Sequence, residues 1–312
     1  MKLKSFGDAT HRRKENLMKL LATLALVTIS AFTLADYKTT VIKSGLNRPT
    51  GITVTGTGHN VAVFFSQVPT PGVSGGNGGS NSVDVFFPGL NFMSSIHQGE
   101  PDPRNLAFGV DGSLYWTCKS AGVILERKRN GSIAPLLTNL PKPSGVAVDR
   151  WGTVFYTAIP TPGIPGSMGG MNTVNSYDGN VITQITIGEP EPTDIAVNPM
   201  NGNVYWTCRS AGVILQRTPS GVVSLFIRGL NKPTGIAIDR RGNMFFTEVP
   251  TPGVSGAAGG GNFVWEVDLA TKKREIVNFG DPEPTDVAVD GNGRVYWTCS
   301  SAGVIVRATK RD

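Results

Sequence analysis

The chain has 312 residues, with 29 Lys and Arg against 23 Asp and Glu for a formal charge of +6, and it contains 39 Gly, 21 Pro, 3 His and 3 Cys. At 39% hydrophobic and 17% charged, it is too apolar and too weakly charged to be disordered. Three cysteines are too few for a disulfide framework, and the Gly and Pro content suits a fold of many tight turns rather than a helical one.

The N-terminus carries Lys2, Lys4, Arg12, Arg13, Lys14 and Lys19 against Asp8 and Glu15, followed by an apolar run from Leu20 to Ala35. A basic segment, an apolar core and the small-residue end Thr33-Leu34-Ala35 make residues 1–35 a secretory signal peptide, with Met18 as an alternative start. An uncleaved anchor is the other reading, because a run of this length is near the minimum for spanning a bilayer. Both readings make residues 36–312 secreted or extracytoplasmic. The leader holds six basic and two acidic residues, so the remainder carries a net charge of +2 and loses the electrostatic argument for nucleic acid.

Beyond the leader the chain repeats. Tyr115-Trp116-Thr117-Cys118 recurs as Tyr205-Trp206-Thr207-Cys208 and Tyr296-Trp297-Thr298-Cys299, and each copy runs on into Ser-Ala-Gly-Val-Ile. Pro-Thr-Pro-Gly opens at Pro69, Pro160 and Pro250, and each copy leads to a Gly-rich segment ending at Asn81, Asn172 or Asn262. Each of the three units contains two half-repeats: an alternating strand, a Gly-containing turn and an aromatic strand, as in Pro233–Asp239 followed by Gly242–Thr247. A half-repeat of about 45 residues is the length of a four-stranded propeller blade. Three units therefore predict an all-β, six-bladed β-propeller over residues 36–312. The last half-repeat stops after its third strand, and Lys38–Leu46 matches the fourth strands of the other blades. The N-terminal strand is expected to complete the final blade and close the ring.

Pro-x-Gly-Ile-Ala-Val-Asp, a Gly turn and an aromatic strand together resemble the NHL-repeat propellers and the SMP-30/gluconolactonase/strictosidine-synthase-like group. The resemblance covers residues 37–312 and concerns architecture, since such propellers include both enzymes and binding modules. It implies, for a gluconolactonase-like activity, a Glu, an Asn and an Asp around a central divalent cation. Glu189 or Glu191, Asp194, Asp286, Asn105 and Glu248 are the residues of those types near the axis, although no unique triad aligns.

In such a propeller the informative motifs share one face. Glu189–Asp194, Asp281–Asp286 and Glu100–Asn105 begin inner strands, Trp-Thr-Cys ends second strands, and the Pro-Thr-Pro-Gly loops follow second strands. The opposite face receives ordinary turns. On the motif face the second-strand ends are Gln67, Cys118, Ala158, Cys208, Glu248 and Cys299, and the inner strands contribute Gly51, Asn105, Gly145, Asp194, Gly235 and Asp286. Cys118, Cys208 and Cys299 fall on alternate blades and form a candidate site for a thiophilic metal ion, with packing in the core as the alternative. Glu248 is the candidate catalytic base. Asn105, Asp194, Asp286, Gln67, Asn81, Asn172 and Asn262 are candidate ligand-binding residues. The remaining histidines, His59 and His97, share no metal-ligand spacing, and the Gly-rich loops lack the Lys-Ser/Thr ending of a phosphate loop.

The expected function is binding of a small-molecule or protein ligand at the pseudo-three-fold central face, with a divalent or thiophilic cation as the cofactor to be tested. Alternatives are a metal-dependent lactonase- or esterase-type hydrolase and a structural extracellular protein. No nucleic acid, no membrane contact beyond the leader and a monomeric state are expected.

Overall fold

A computed structural model describes residues 33–69, 81–160, 171–250 and 261–311. Residues 1–32, and with them most of the leader, lie outside the described residues, as does most of each Pro-Thr-Pro-Gly loop. The described chain folds into 25 strands, numbered here in chain order, with one short 3-10 turn at Gly58–Asn60.

The strands form six sheets arranged as six blades. Blades 1 to 5 are built from strands consecutive in the chain, with inner strands β3 (Pro49–Thr55), β7 (Pro103–Phe108), β11 (Pro143–Val148), β15 (Pro192–Val197) and β19 (Pro233–Ile238). Blade 6 has inner strand β23 (Pro284–Val289), then β24 (Val295–Cys299) and β25 (Val304–Lys310). Its outer position is taken by β2 (Tyr37–Lys43), which pairs antiparallel with β25 from Tyr37 opposite Lys310 to Lys43 opposite Ile305. Thr33–Leu34 (β1), from the end of the expected leader, lies parallel to β22 (Arg274–Phe279) of blade 5.

The period of two along a strand explains how the repeated tetrapeptide builds the core. Successive side chains point to opposite faces of a blade, and each face packs on a different neighbour. Tyr205 joins the cluster of Ile236, Phe246 and Trp265 in the following blade, whereas Trp206 and Cys208 join that of Phe155 and Val174 in the preceding one. The other two copies divide in the same way, with Tyr296 packed toward blade 1 and Trp297 and Cys299 toward blade 5. Trp116, Trp206 and Trp297 are the largest fully buried side chains of the protein.

Every inner strand has an irregularity at the same place. The register with the second strand shifts just after the leading proline in all six blades, so the next residues leave the ladder. A backbone N–H removed from the ladder and buried must find another acceptor. Ser66, Thr117, Thr157, Thr207, Thr247 and Thr298, one per second strand and all fully buried, stand at that level. The N–H of Gly51 donates to Ser66 Oγ at 2.8 Å, that of Gly145 to Thr157 Oγ1 at 2.8 Å, and that of Gly235 to Thr247 Oγ1 at 2.9 Å. Four of these hydroxyls then donate to an inner-strand carbonyl of the next blade: Ser66 to Arg104, Thr117 to Ser144, Thr207 to Thr234, and Thr298 to Thr50.

Candidate functional site

The axis of the ring is occupied by three side chains from alternate blades, Asn105, Asp194 and Asp286. Each reaches the blade that follows it. Asn105 Oδ1 accepts from the N–H of Val146 at 2.9 Å, Asp194 Oδ2 from Ile236 at 2.8 Å, and Asp286 Oδ2 from Ile52 at 2.8 Å. The other three blade interfaces close through glycine. A Cβ on Gly145 would stand 2.7 Å from the Asp194 Cα, one on Gly235 2.5 Å from the Asp286 Cα, and one on Gly51 1.9 Å from the Arg104 carbonyl oxygen. The alternation of Gly with Asn or Asp around the ring therefore divides two jobs between neighbouring blades. One blade supplies the acceptor and the next supplies the space.

Asn105 Nδ2 also donates to Asp286 Oδ2 at 3.0 Å, and Asp194 stands close enough to Asp286 for the two carboxyls to interact. Burial raises both acids above the ordinary carboxylate range, and the charge of Asp286 pushes Asp194 further up. Asp286 is raised to about 6, with the N–H groups of Ile52 and Val287 opposing the effect of burial. The pair retains a proton where free carboxylates have lost theirs.

This triad separates two recesses. A small one of about 220 Å³ opens on the motif-bearing face and is lined by Thr50, Ser144, Thr193, Thr234 and Thr285, with Arg104 in the sixth position of that ring. A larger one of about 940 Å³ opens on the opposite face, among the turns between inner and second strands. Its wall is the Ile-Ala-Val part of the inner strands, and Asn105 borders both recesses. The motif-bearing face was the expected location of the main pocket. The larger space instead lies on the face with the ordinary turns, because the motif residues fill their own side of the axis with hydrogen bonds.

The structure does not bring the three cysteines together. Cys118, Cys208 and Cys299 are fully buried free thiols in three different inter-blade cores. Each copy of Tyr-Trp-Thr-Cys puts the cysteine two residues after the tryptophan, on the same blade face, and so beside it in the core. Burial holds all three thiols protonated, reinforced by a neighbouring acid: Glu100, Glu189 or Asp281. Cys118 Sγ donates to Glu100 Oε2 at 2.9 Å and Cys208 Sγ to Glu189 Oε2 at 3.4 Å. Among the described residues no three His, Cys, Asp or Glu side chains cluster as metal ligands.

The remaining candidates hold the loops. Glu248 is buried and both of its oxygens are engaged, by the N–H of Asn231 at 2.7 Å and by Trp265 Nε1 at 2.8 Å. Burial raises its pKa, and it borders neither recess. Gln67 plays the matching part in blade 1, accepting from the Asn47 N–H and donating to Asp84. Asn81, Asn172 and Asn262 are buried and donate to the carbonyls of Glu100, Glu189 and Asp281, fixing the crossing from one blade to the next. Of the predicted binding residues, only Asn105, Asp194 and Asp286 meet at the axis.

These three do not fit the divalent cation that the gluconolactonase-like resemblance implies. Asp194 and Asp286 each accept a backbone N–H at both oxygens, and Asn105 turns its amide donor, not its oxygen, toward Asp286. Of the glutamates available to that reading, Glu189 faces Trp206 and Cys208, and Glu191 faces Ser210. A hard cation needs several free oxygens, whereas the axial oxygens are already taken by N–H donors.

The ring of blades with a polar septum on its axis defines a six-bladed β-propeller. It shares the fold of a gluconolactonase from Xanthomonas campestris, with a TM-score of 0.67, 14% identity and coverage of 91% of this chain and 93% of that one. Virginiamycin B lyase from Staphylococcus aureus has the same architecture, with a TM-score of 0.58, 16% identity and coverage of 88% and 98%. In sequence the chain is similar to a low-density lipoprotein receptor-related protein 1 of Pyricularia oryzae, 24% identical over 197 residues and 53% of this chain. The match spans 60% of that relative's length, and no family model matches. At these identities the likeness is one of fold.

The hydroxyl ring is the element that the repeat motifs did not announce. Its signal is nonetheless present, since a Ser or Thr follows the second-strand aromatics in every blade, from Phe65-Ser66 to Trp297-Thr298.

The axial acids give the fold a definite pH dependence. Because their folded pKa values are raised, the native state binds more protons than the unfolded chain between the ordinary Asp range and about pH 6 or above. Stability should fall as pH rises through that window, by about 1.4 kcal/mol per pH unit for each group that titrates. Asp194→Asn, which copies the arrangement at Asn105, should fold and show a flatter dependence. Urea midpoints measured from pH 4 to pH 8 test this, and equal slopes in both proteins would contradict it.

Proposed function

We propose that this protein is a secreted propeller that binds a ligand at its axis, with the recess on the turn face as its main compartment. The observation that carries this reading is the recess itself: about 940 Å³, walled by apolar inner-strand residues and floored by a polar septum. That volume is at the upper end of ordinary small-molecule sites, about 300–1,000 Å³. Secretion is supported by the basic, apolar and small-residue pattern of residues 1–35.

A second reading, a lactonase-type hydrolase, is favoured by the likeness in fold to gluconolactonases. It would use the smaller recess, where Arg104 and Arg209 stand among the hydroxyls. No cation-dependent step is assigned to it, because the axial residues do not fit a divalent ion.

An uncharged fluorescent probe, N-phenyl-1-naphthylamine, should bind saturably with one site per chain. Val289→Trp, which narrows the recess, should weaken binding by at least about tenfold, equivalent to ~1.4 kcal/mol. Unsaturable binding, or unchanged affinity in a folded Val289→Trp protein, would remove the axial site. The hydrolase reading predicts turnover on a panel of sugar lactones with and without calcium. Because Glu248 borders neither recess, Glu248→Gln should leave any such turnover unchanged, and absence of turnover would exclude the reading.

A further inference from the structure

The larger recess is chemically two-sided. Each inner strand contributes one half-buried apolar residue to its wall: Val54, Phe108, Val148, Val197, Ile238 and Val289. On the floor, Asn105 accepts from the N–H of Val146 and donates one amide N–H to Asp286. An apolar body placed against this collar of Val, Ile and Phe side chains breaks no hydrogen bond there.

The mouth is different. Arg127 and Arg129 of blade 2 border it on one side and Arg240 of blade 5 on the opposite side, and none of the three guanidinium groups has an ion-pair or hydrogen-bond partner among the described residues. The acids of the same rim are committed to their own turns. Asp111 accepts from the N–H and hydroxyl of Ser113, and Asp239 from the N–H groups of Arg241 and Asn243. Asp290 is neutralised by Arg294 at 2.7 Å. Asp111 and Asp239 keep their charge but turn their oxygens to donors of their own turns, whereas the guanidinium groups keep free N–H donors, and guanidinium matches the planar, two-oxygen geometry of a carboxylate.

The rim carries a second asymmetry. The turn tips of blades 2, 3 and 4 hold Val110, Trp151 and Met200, which are 73%, 65% and 62% exposed on three consecutive turns. Isolated exposed apolar residues need no explanation, but here Val110 lines the recess and Trp151 and Met200 follow on the next two turns.

We propose that the recess binds an amphipathic anion, with an aliphatic body inside the collar of inner-strand residues and a single acidic head held on the blade 2 side of the mouth by Arg127 and Arg129. The proposal rests on the axial-ligand reading and names the class of ligand. It does not use the cysteines, Glu248 or a metal ion. The head group can belong to a free amphiphile or to a lipid, and the two share the chemistry that the recess selects.

Calorimetry of the full chain with decanoate, decan-1-ol and decylammonium, each below its micelle concentration, tests the class. Decanoate should bind one per chain and at least about tenfold more tightly than decanol, with decylammonium weakest. The double change Arg127→Gln and Arg129→Gln should remove that preference and leave decanol affinity unchanged. Equal affinity for decanoate and decanol, or a preference that survives the double change, would overturn the anion assignment while leaving an apolar axial site. Binding of neither compound would overturn the axial reading itself. Sedimentation with phosphatidylglycerol vesicles separates the sources. No co-sedimentation assigns a free amphiphile, and co-sedimentation abolished by decanoate assigns a lipid. Co-sedimentation indifferent to decanoate, without decanoate binding, would overturn the proposal in favour of surface attraction.

Discussion

The structure depends on a displaced backbone N–H near the start of each inner strand. The register shift after the leading proline takes that donor out of the ladder, and leaving it buried without a partner costs about 1–3 kcal/mol. One buried hydroxyl on the second strand resolves this, as Ser66 does for Gly51 and Thr157 for Gly145. The same hydroxyl can donate onward, and in four blades it does so to the neighbouring blade. A local repair within each blade thus becomes a bond between blades. The apolar clusters supply the bulk of the cohesion, while the hydroxyls fix where the inner strands sit around the axis.

From that position the three-fold character follows. With inner strands this close, a Cβ at the ring position of blades 1, 3 and 5 would collide with the next blade, so those blades carry Gly51, Gly145 and Gly235. The alternate blades use the freed space for Asn105, Asp194 and Asp286, each bonded to a neighbour's N–H. The result is a polar septum rather than an open channel, with a small hydroxyl-lined recess above and a larger apolar one below. Packing two acids there requires that they keep a proton, so the septum is sensitive to pH as well as to shape.

The number of blades was legible because a period of about 45 residues is independent of any single side chain. The strand paired with Val304–Lys310 was legible because Lys38–Leu46 matches the fourth strands of the other blades. The site was legible only in part. Asn105, Asp194 and Asp286 were recognised as axial, but Cys118, Cys208 and Cys299 were read as facing the axis when the pleat forbids it. A residue two positions after a core tryptophan shares its face, and the same rule buries Glu248 beside Phe246 and puts the half-buried Gln67 on the face of Phe65. The larger recess left no trace in the motifs. Its wall is made of Ile, Ala and Val residues whose sequence pattern is that of any buried strand, and only ring closure turns them toward a common space.

The most direct test of this account is amide hydrogen exchange at Gly51, Gly145 and Gly235. These amides lie outside the regular ladder, yet each donates to a fully buried hydroxyl. If the hydroxyl ring holds the axis, they should exchange as slowly as the ladder amides of Trp206 and Trp297, opening only with the fold as a whole. In Thr157→Val the protection of Gly145 should fall while that of Gly51 persists. Exchange of all three glycines at the rate of a surface turn such as Gly202, in the unaltered protein, would contradict it.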